Sequence, residues 1–130
     1  MNGFALAQWQ RARQSLATAA QLLDSDPDSA ASRAYYAAFH AVTAVFALQG
    51  RGFSKHSAVR TALHRDLIRT GAWPRELGQA YNILMDLRET ADYGGLRRVS
   101  SEEAGEAVEK ARRIIRFVGQ SCAEFTIGDM

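Results

Sequence analysis

Cysteine, proline and lysine are nearly missing from this 130-residue chain, which holds one, two and two of them. The lone Cys122 excludes an internal disulfide and any cysteine-based metal site within one chain. Two prolines leave room for long helices. No apolar run reaches the ~20 residues of a membrane span. No basic segment followed by an apolar stretch opens the chain as a secretory signal would, so a cytoplasmic location is expected. No strand pattern of any length is present.

What lysine lacks, arginine supplies: fourteen of the sixteen basic residues are arginine, and fourteen acids bring the net charge down to +2. Guanidinium forks match phosphate oxygens and stack on bases. A composition that writes arginine for lysine gives the same count, and the near balance of charge favours that plainer reading.

Apolar residues recur at helical spacing over five segments. The first covers residues 4–23, with Leu6, Trp9, Ala12, Leu16, Ala19 and Leu23 as its stripe and Arg11 off it. Asp26 followed by Pro27 reads as an N-cap and first helical residue. The second helix then runs to Gln49, where Gly50 supplies the stop. It is apolar on most sides, alternating alanines with aromatics, as suits a central helix or an oligomer interface. Ser54 is the expected cap of a third helix ending near Thr70 and Gly71. Trp73 and Pro74 open a fourth, which buries Leu77, Tyr81, Leu84, Leu87 and Ala91 and stops at Gly94 and Gly95. Ser100 and Glu103 have capping-box spacing and open the fifth. Its apolar face holds Ala104, Val108, Ala111, Ile115, Val118 and Cys122. Glu106 with Lys110 and Glu109 with Arg113 are helix-spaced ion pairs. The last residues read as frayed. The expectation is one domain over residues 1–130, an all-α, up-and-down bundle of four to five antiparallel helices.

Two places concentrate polar chemistry. On the second helix, Arg33, Tyr36, His40 and Thr43 fall on one narrow line. That line is either a solvent-facing edge or a seam lining a cleft or a subunit interface. On the fourth, Arg88 and Asp92 are four apart and can pair, on the side that also carries Tyr81. As a surface ion pair they would contribute little. As an arginine held by its acid, Arg88 would be aimed at phosphate. Tyr93 could donate a hydrogen bond or stack on a base, though phenols are poor general bases at neutral pH. Arg97 and Arg98 follow the diglycine, as a solvated loop or as a basic flap over Arg88 that grips a phosphate backbone.

Three segments taken together carry a resemblance. They are Ser32-Arg33-Ala34-Tyr35-Tyr36-Ala37-Ala38-Phe39-His40-Ala41, Ser54-Lys55-His56-Ser57-Ala58-Val59, and Arg88-Glu89-Thr90-Ala91-Asp92-Tyr93. In this order and spacing the chain resembles the HEPN domain family, in its branch of small stand-alone prokaryotic proteins, over about residues 9–118. The resemblance implies a helical bundle that dimerises, often beside a minimal nucleotidyltransferase and commonly as a toxin–antitoxin pair. Many HEPN proteins are metal-independent ribonucleases. Their motif is an arginine followed, after four to six intervening residues, by a histidine; the arginine stabilises charge on phosphate and the histidine moves a proton.

Arg88 carries over and the histidine does not. Tyr93, Gly94 and Gly95 occupy the three positions open to it. Arg51 with His56 and Arg33 with His40 also fit the spacing. With this many arginines about one chance match is expected, and neither pair lies at the motif's place. His56 is the alternative proton carrier, because a helix-opening residue can reach a neighbouring helix end.

Three functions are therefore expected in turn. The first is a nucleotide- or RNA-recognising partner of a minimal nucleotidyltransferase. The second is a metal-independent endoribonuclease toxin, using Arg88 with Tyr93, Asp92 or His56. The third is a structural dimer without ligand. Arg33, Tyr36, His40, His56, Arg97 and Arg98 are the expected nucleotide or RNA contacts, and no metal or other cofactor is expected.

Overall fold

The computed structural model describes residues 2–127. The helices are α1 (Gly3–Gln21), α2 (Pro27–Leu48), α3 (His56–Ala62), α4 (Arg75–Tyr93), α5 (Ser101–Ser121) and α6 (Ala123–Ile127), with a π-helical segment, Leu63–Ile68, continuing α3. The four long helices run up and down as an all-α bundle, with no strand among the described residues. No helix among these residues is long and apolar enough to cross a membrane.

Local chemistry sets most boundaries. Asn2 caps α1 by accepting from the Ala5 amide at 3.1 Å, and its Nδ2 donates to the Ala47 carbonyl, tying the start of α1 to the end of α2. Asp26 caps α2 through the Ser29 amide. At the other end the Gly50 amide donates to Ala47 and the Arg51 amide to Phe46. Those two bonds form a Schellman motif, which needs the left-handed conformation Gly50 adopts at φ +74°. Ser100 and Glu103 form the expected reciprocal capping box of α5.

α2 is the central element. Ala30, Ala31, Ala34, Ala37, Ala38, Ala41 and Ala44 are fully buried, and their small side chains let α1, α4 and α5 all pack against it. α4 runs antiparallel to α2, so its C-terminal half lies beside the N-terminal half of α2.

Four readings need correction. Lys55, not Ser54, precedes α3, with no side-chain cap. The third segment is a short α-helix that widens into π turns. There His64 faces Gly78 of α4, where a Cβ would stand 3.0 Å from the imidazole, and His64 Nε2 bonds Asn82 Oδ1 at 3.0 Å. Glu109 pairs with Arg112 as well as Arg113, while Glu106 and Lys110 make no ion pair among the described residues. Residues 123–127 are not frayed: Phe125 is fully buried and stacks on Trp9 at 5.0 Å. Residues 128–130, the remainder of that expectation, lie outside the described part.

Candidate functional site

The antiparallel register of α2 and α4 brings Arg88 under the first turns of α2. Its side chain is 19% exposed, with Nε 3.0 Å from Asp92 Oδ2 and Nη2 donating to the Tyr36 hydroxyl at 3.1 Å. The guanidinium carbon lies 5.6 Å from the ring centres of Tyr35 and Tyr36 and 5.5 Å from that of Tyr93. Arg88 thus sits among three phenol rings, whose faces favour a cation. Burial works against its charge, but the Tyr36 hydroxyl, Tyr93 and Asp92 outweigh that and hold it more firmly protonated than an ordinary arginine. Asp92 also faces the Ser32 hydroxyl at 3.5 Å. Beside this cluster a groove of about 400 Å³ is lined by Asp28, Ser29, Ser32, Arg33 and Asp92.

His56 enters the same cluster from the start of α3. Its ring lies flat on Phe39, 4.1 Å between centres, with Tyr36 edge-on at 5.7 Å. Nδ1 is 2.8 Å from the Tyr35 hydroxyl, and Nε2 has no partner among the described residues. Burial lowers the His56 pKa and Arg88 lowers it further. At neutral pH the imidazole is therefore uncharged and next to a fixed cation, a combination suited to accepting a proton near phosphate.

The expected polar line on α2 is a half-buried seam rather than a solvent-facing edge. Arg33 stacks over the Tyr36 ring at 4.7 Å. His40 Nδ1 lies 2.7 Å from Gln8 Oε1 of α1. Burial, then Arg11, Arg33 and His56, push the His40 pKa down to about 4. Thr43 is buried, its hydroxyl unpartnered. Tyr81, which shares the Arg88 side of α4, is fully buried beneath Tyr35. Burial raises its pKa well above the ordinary value, so it forms the floor of the cluster.

Tyr93 is 72% exposed at the rim. Arg97 donates to Thr90 Oγ1 and Glu103 Oε2. Arg98 reaches Asp28 Oδ2, and the Val99 amide donates to Asp28 Oδ1 at 2.8 Å. The 94–99 loop is therefore tied to α2, α4 and α5 rather than standing free as a flap, with Arg98 at the groove's edge. Arg88, Asp92, Tyr93, Tyr36, Arg33 and His56 come together in one cluster, of which Asp92 and Arg33 line the groove. His40 sits one turn further along α2, and Arg97 points away toward α5. Tyr35, fully buried behind Arg88, and Ser32 and Asp28 are not among the site residues expected from sequence. Only Tyr35 carried a signal, as the neighbour of Tyr36.

The chain and its fold are similar to those of other proteins. The chain is 40% identical over 102 residues to a UPF0332 protein of Thermotoga maritima, covering 78% of this chain and 77% of that one. It is 32% identical over 96 residues to a protein of Methanocaldococcus jannaschii described as a candidate toxin, covering 73% and 65%. The crystal structure of TT1696 from Thermus thermophilus superposes with a TM-score of 0.78 at 24% identity, over 94% of this chain and 100% of that one, and shares its fold. The HEPN domain model matches residues 5–121, nearly all of the bundle that builds the Arg88 cluster, and the chain belongs to the HEPN family.

Proposed function

We propose that this protein is a toxin-type HEPN protein that grips the phosphate of a nucleotide or RNA on Arg88, working in the cytoplasm as a single-domain homodimer beside a minimal nucleotidyltransferase. The observation that carries the reading is Arg88 itself. Its charge is held next to a groove by one carboxylate and three phenol rings; among the described residues Nη1 has no partner, and Nε pairs with Asp92 by charge without a hydrogen bond. The relative described as a candidate toxin supports the toxin-type assignment. A charge-assisted contact is worth ~1.5–3 kcal/mol, so Arg88→Ala should weaken oligoribonucleotide or nucleotide binding about tenfold or more, read by fluorescence anisotropy. Equal affinity in the two proteins would remove Arg88 from recognition. Co-purification with the product of a neighbouring nucleotidyltransferase gene tests the pairing.

The place of His56 favours a second reading, metal-independent RNA cleavage. Its neutral imidazole reaches the Arg88 cluster from another helix and could serve where the motif histidine is replaced. The assay is cleavage of RNA in the presence of a chelator by wild type, Arg88→Ala and His56→Ala. Cleavage lost in both variants supports it. No cleavage by wild type, with RNA binding intact, returns the protein to recognition alone.

A further inference from the structure

We propose that a second phosphate subsite lies between α1 and α2, built from Arg11, Arg33 and His40, and that a polynucleotide held on Arg88 places a neighbouring phosphate there. This rests on the phosphate reading of Arg88 and extends it to a single-stranded RNA spanning both places.

The subsite is a cavity of about 380 Å³ lined by Arg11, Gln14, Ser15, Thr18, Arg33 and His40. The groove beside Arg88 carries two carboxylates, Asp28 and Asp92; this cavity has none. Its lining offers two guanidiniums, two hydroxyls and an amide, all able to donate to an oxyanion. Neither Arg11 nor Arg33 makes an ion pair among the described residues. Arg33 spends one face on the Tyr36 ring and keeps its N–H edge for an acceptor. The fixed charges that act on His40 are both guanidiniums, Arg11 from α1 and Arg33 from its own helix, with the titratable ring of His56 beyond them on α3. A protein collects like charges around a cavity at a cost in repulsion, and a bound anion relieves it.

His40 is arranged for the same ligand. Nδ1 donates to Gln8 Oε1, which leaves Nε2 as the acceptor of the neutral ring, on a residue that lines the cavity. An anion there would favour the protonated ring, whose Nε2 then donates.

The two places are linked by one side chain. Arg33 lines both cavities, and the guanidinium carbons of Arg33 and Arg88 lie 4.7 and 5.6 Å from the same Tyr36 ring centre, hence within about 10 Å of each other. A basic groove that tracks a backbone, ended by the exposed ring of Tyr93 as a stacking surface, has the makings of a single-strand site.

The histidines are separate reporters, His40 for the new subsite and His56 for Arg88. The experiment follows their C–H signals by NMR in the full chain, titrated with inorganic phosphate, with ATP and with a short oligouridylate. Inorganic phosphate is expected to raise the His40 pKa by about one unit. Arg11→Gln, at an exposed position that leaves the fold intact, should abolish that response and spare that of His56. The oligouridylate should move both histidines at lower concentration than either small anion and bind Arg11→Gln about tenfold more weakly. Tighter binding of ATP than of the oligouridylate would overturn the single-strand assignment. A His56 response with His40 unmoved would overturn the subsite and leave the Arg88 reading standing. A His40 response alone would do the reverse, and silence from both would remove both.

Discussion

His40 is the residue whose surroundings carry the clearest measurable consequence. Its folded pKa of about 4 lies below the 6.5 of an ordinary histidine, through burial first and then Arg11, Arg33 and His56. The unfolded chain therefore binds a proton between those values while the folded chain does not. Stability rises with pH across that window, is complete above about 6.5, and is lost as pH falls toward 4. Because His40 is half-buried and solvent screens its open side, the effect is on the order of 1–2 kcal/mol rather than the full value of the shift. His40→Gln should flatten the rise of Tm between pH 4 and 6.5 in phosphate-free buffer; an unchanged slope would assign the pH dependence to other groups. At this scale the candidate site was half legible. Arg88 with Asp92, and Arg33 with Tyr36 and His40, follow from helix spacing alone. The meeting of His56 with Tyr35 and Phe39 does not, because it depends on how the start of α3 lies across α2, which no local pattern encodes. Arg98 and Asp28, seventy residues apart, are invisible for the same reason.

Helix boundaries separate what sequence dictates from what packing decides. Asp26–Pro27, Gly50 and the Ser100–Glu103 box were readable because a cap is a local bond between residues three or four apart. The π turns of Leu63–Ile68 were not, since no local pattern marks them; there His64 and Ile68 pack against Gly78 on another helix. α6 was missed because five residues with one buried ring carry no helical period, and its position comes from Trp9. The end of α4 is the element on which the site most depends. Gly94 has an ordinary φ of −74°, yet a Cβ there would stand 2.4 Å from the Thr90 carbonyl oxygen and 2.8 Å from that of Arg97. Both atoms are backbone, so a helix end or the loop must shift. Gly94→Ala should therefore destabilise by about 2 kcal/mol in denaturant melts, although alanine is normally the better residue in a helix. Amide exchange at Val99, whose N–H is held by Asp28, should quicken with it. A neutral or stabilising result would mean that the loop accommodates a methyl group.

Across the whole molecule, charge balance and charge placement make different statements. A net charge of +2 gives little field for indiscriminate attraction of nucleic acid. Much of the arginine excess is answered locally: Arg51 and Arg65 pair with Asp66, Arg97 with Glu103, Arg98 with Asp28, and Arg112 and Arg113 with Glu109. Arg11 and Arg33 make no ion pair among the described residues, and α2 links them to Arg88: Arg11 and Arg33 line one cavity, and Arg33 and Arg88 share the Tyr36 ring. A strand bound there should displace counterions from two or three phosphates. Each phosphate contact on a single strand contributes a slope of about −0.7 in log affinity against log salt. Oligouridylate binding should thus follow a slope of about −1.5 to −2, and Arg11→Gln should make it shallower by roughly the contribution of one phosphate. A slope of about −4 or steeper would place the strand on the paired surface arginines instead, and would detach recognition from the face that Arg88 anchors.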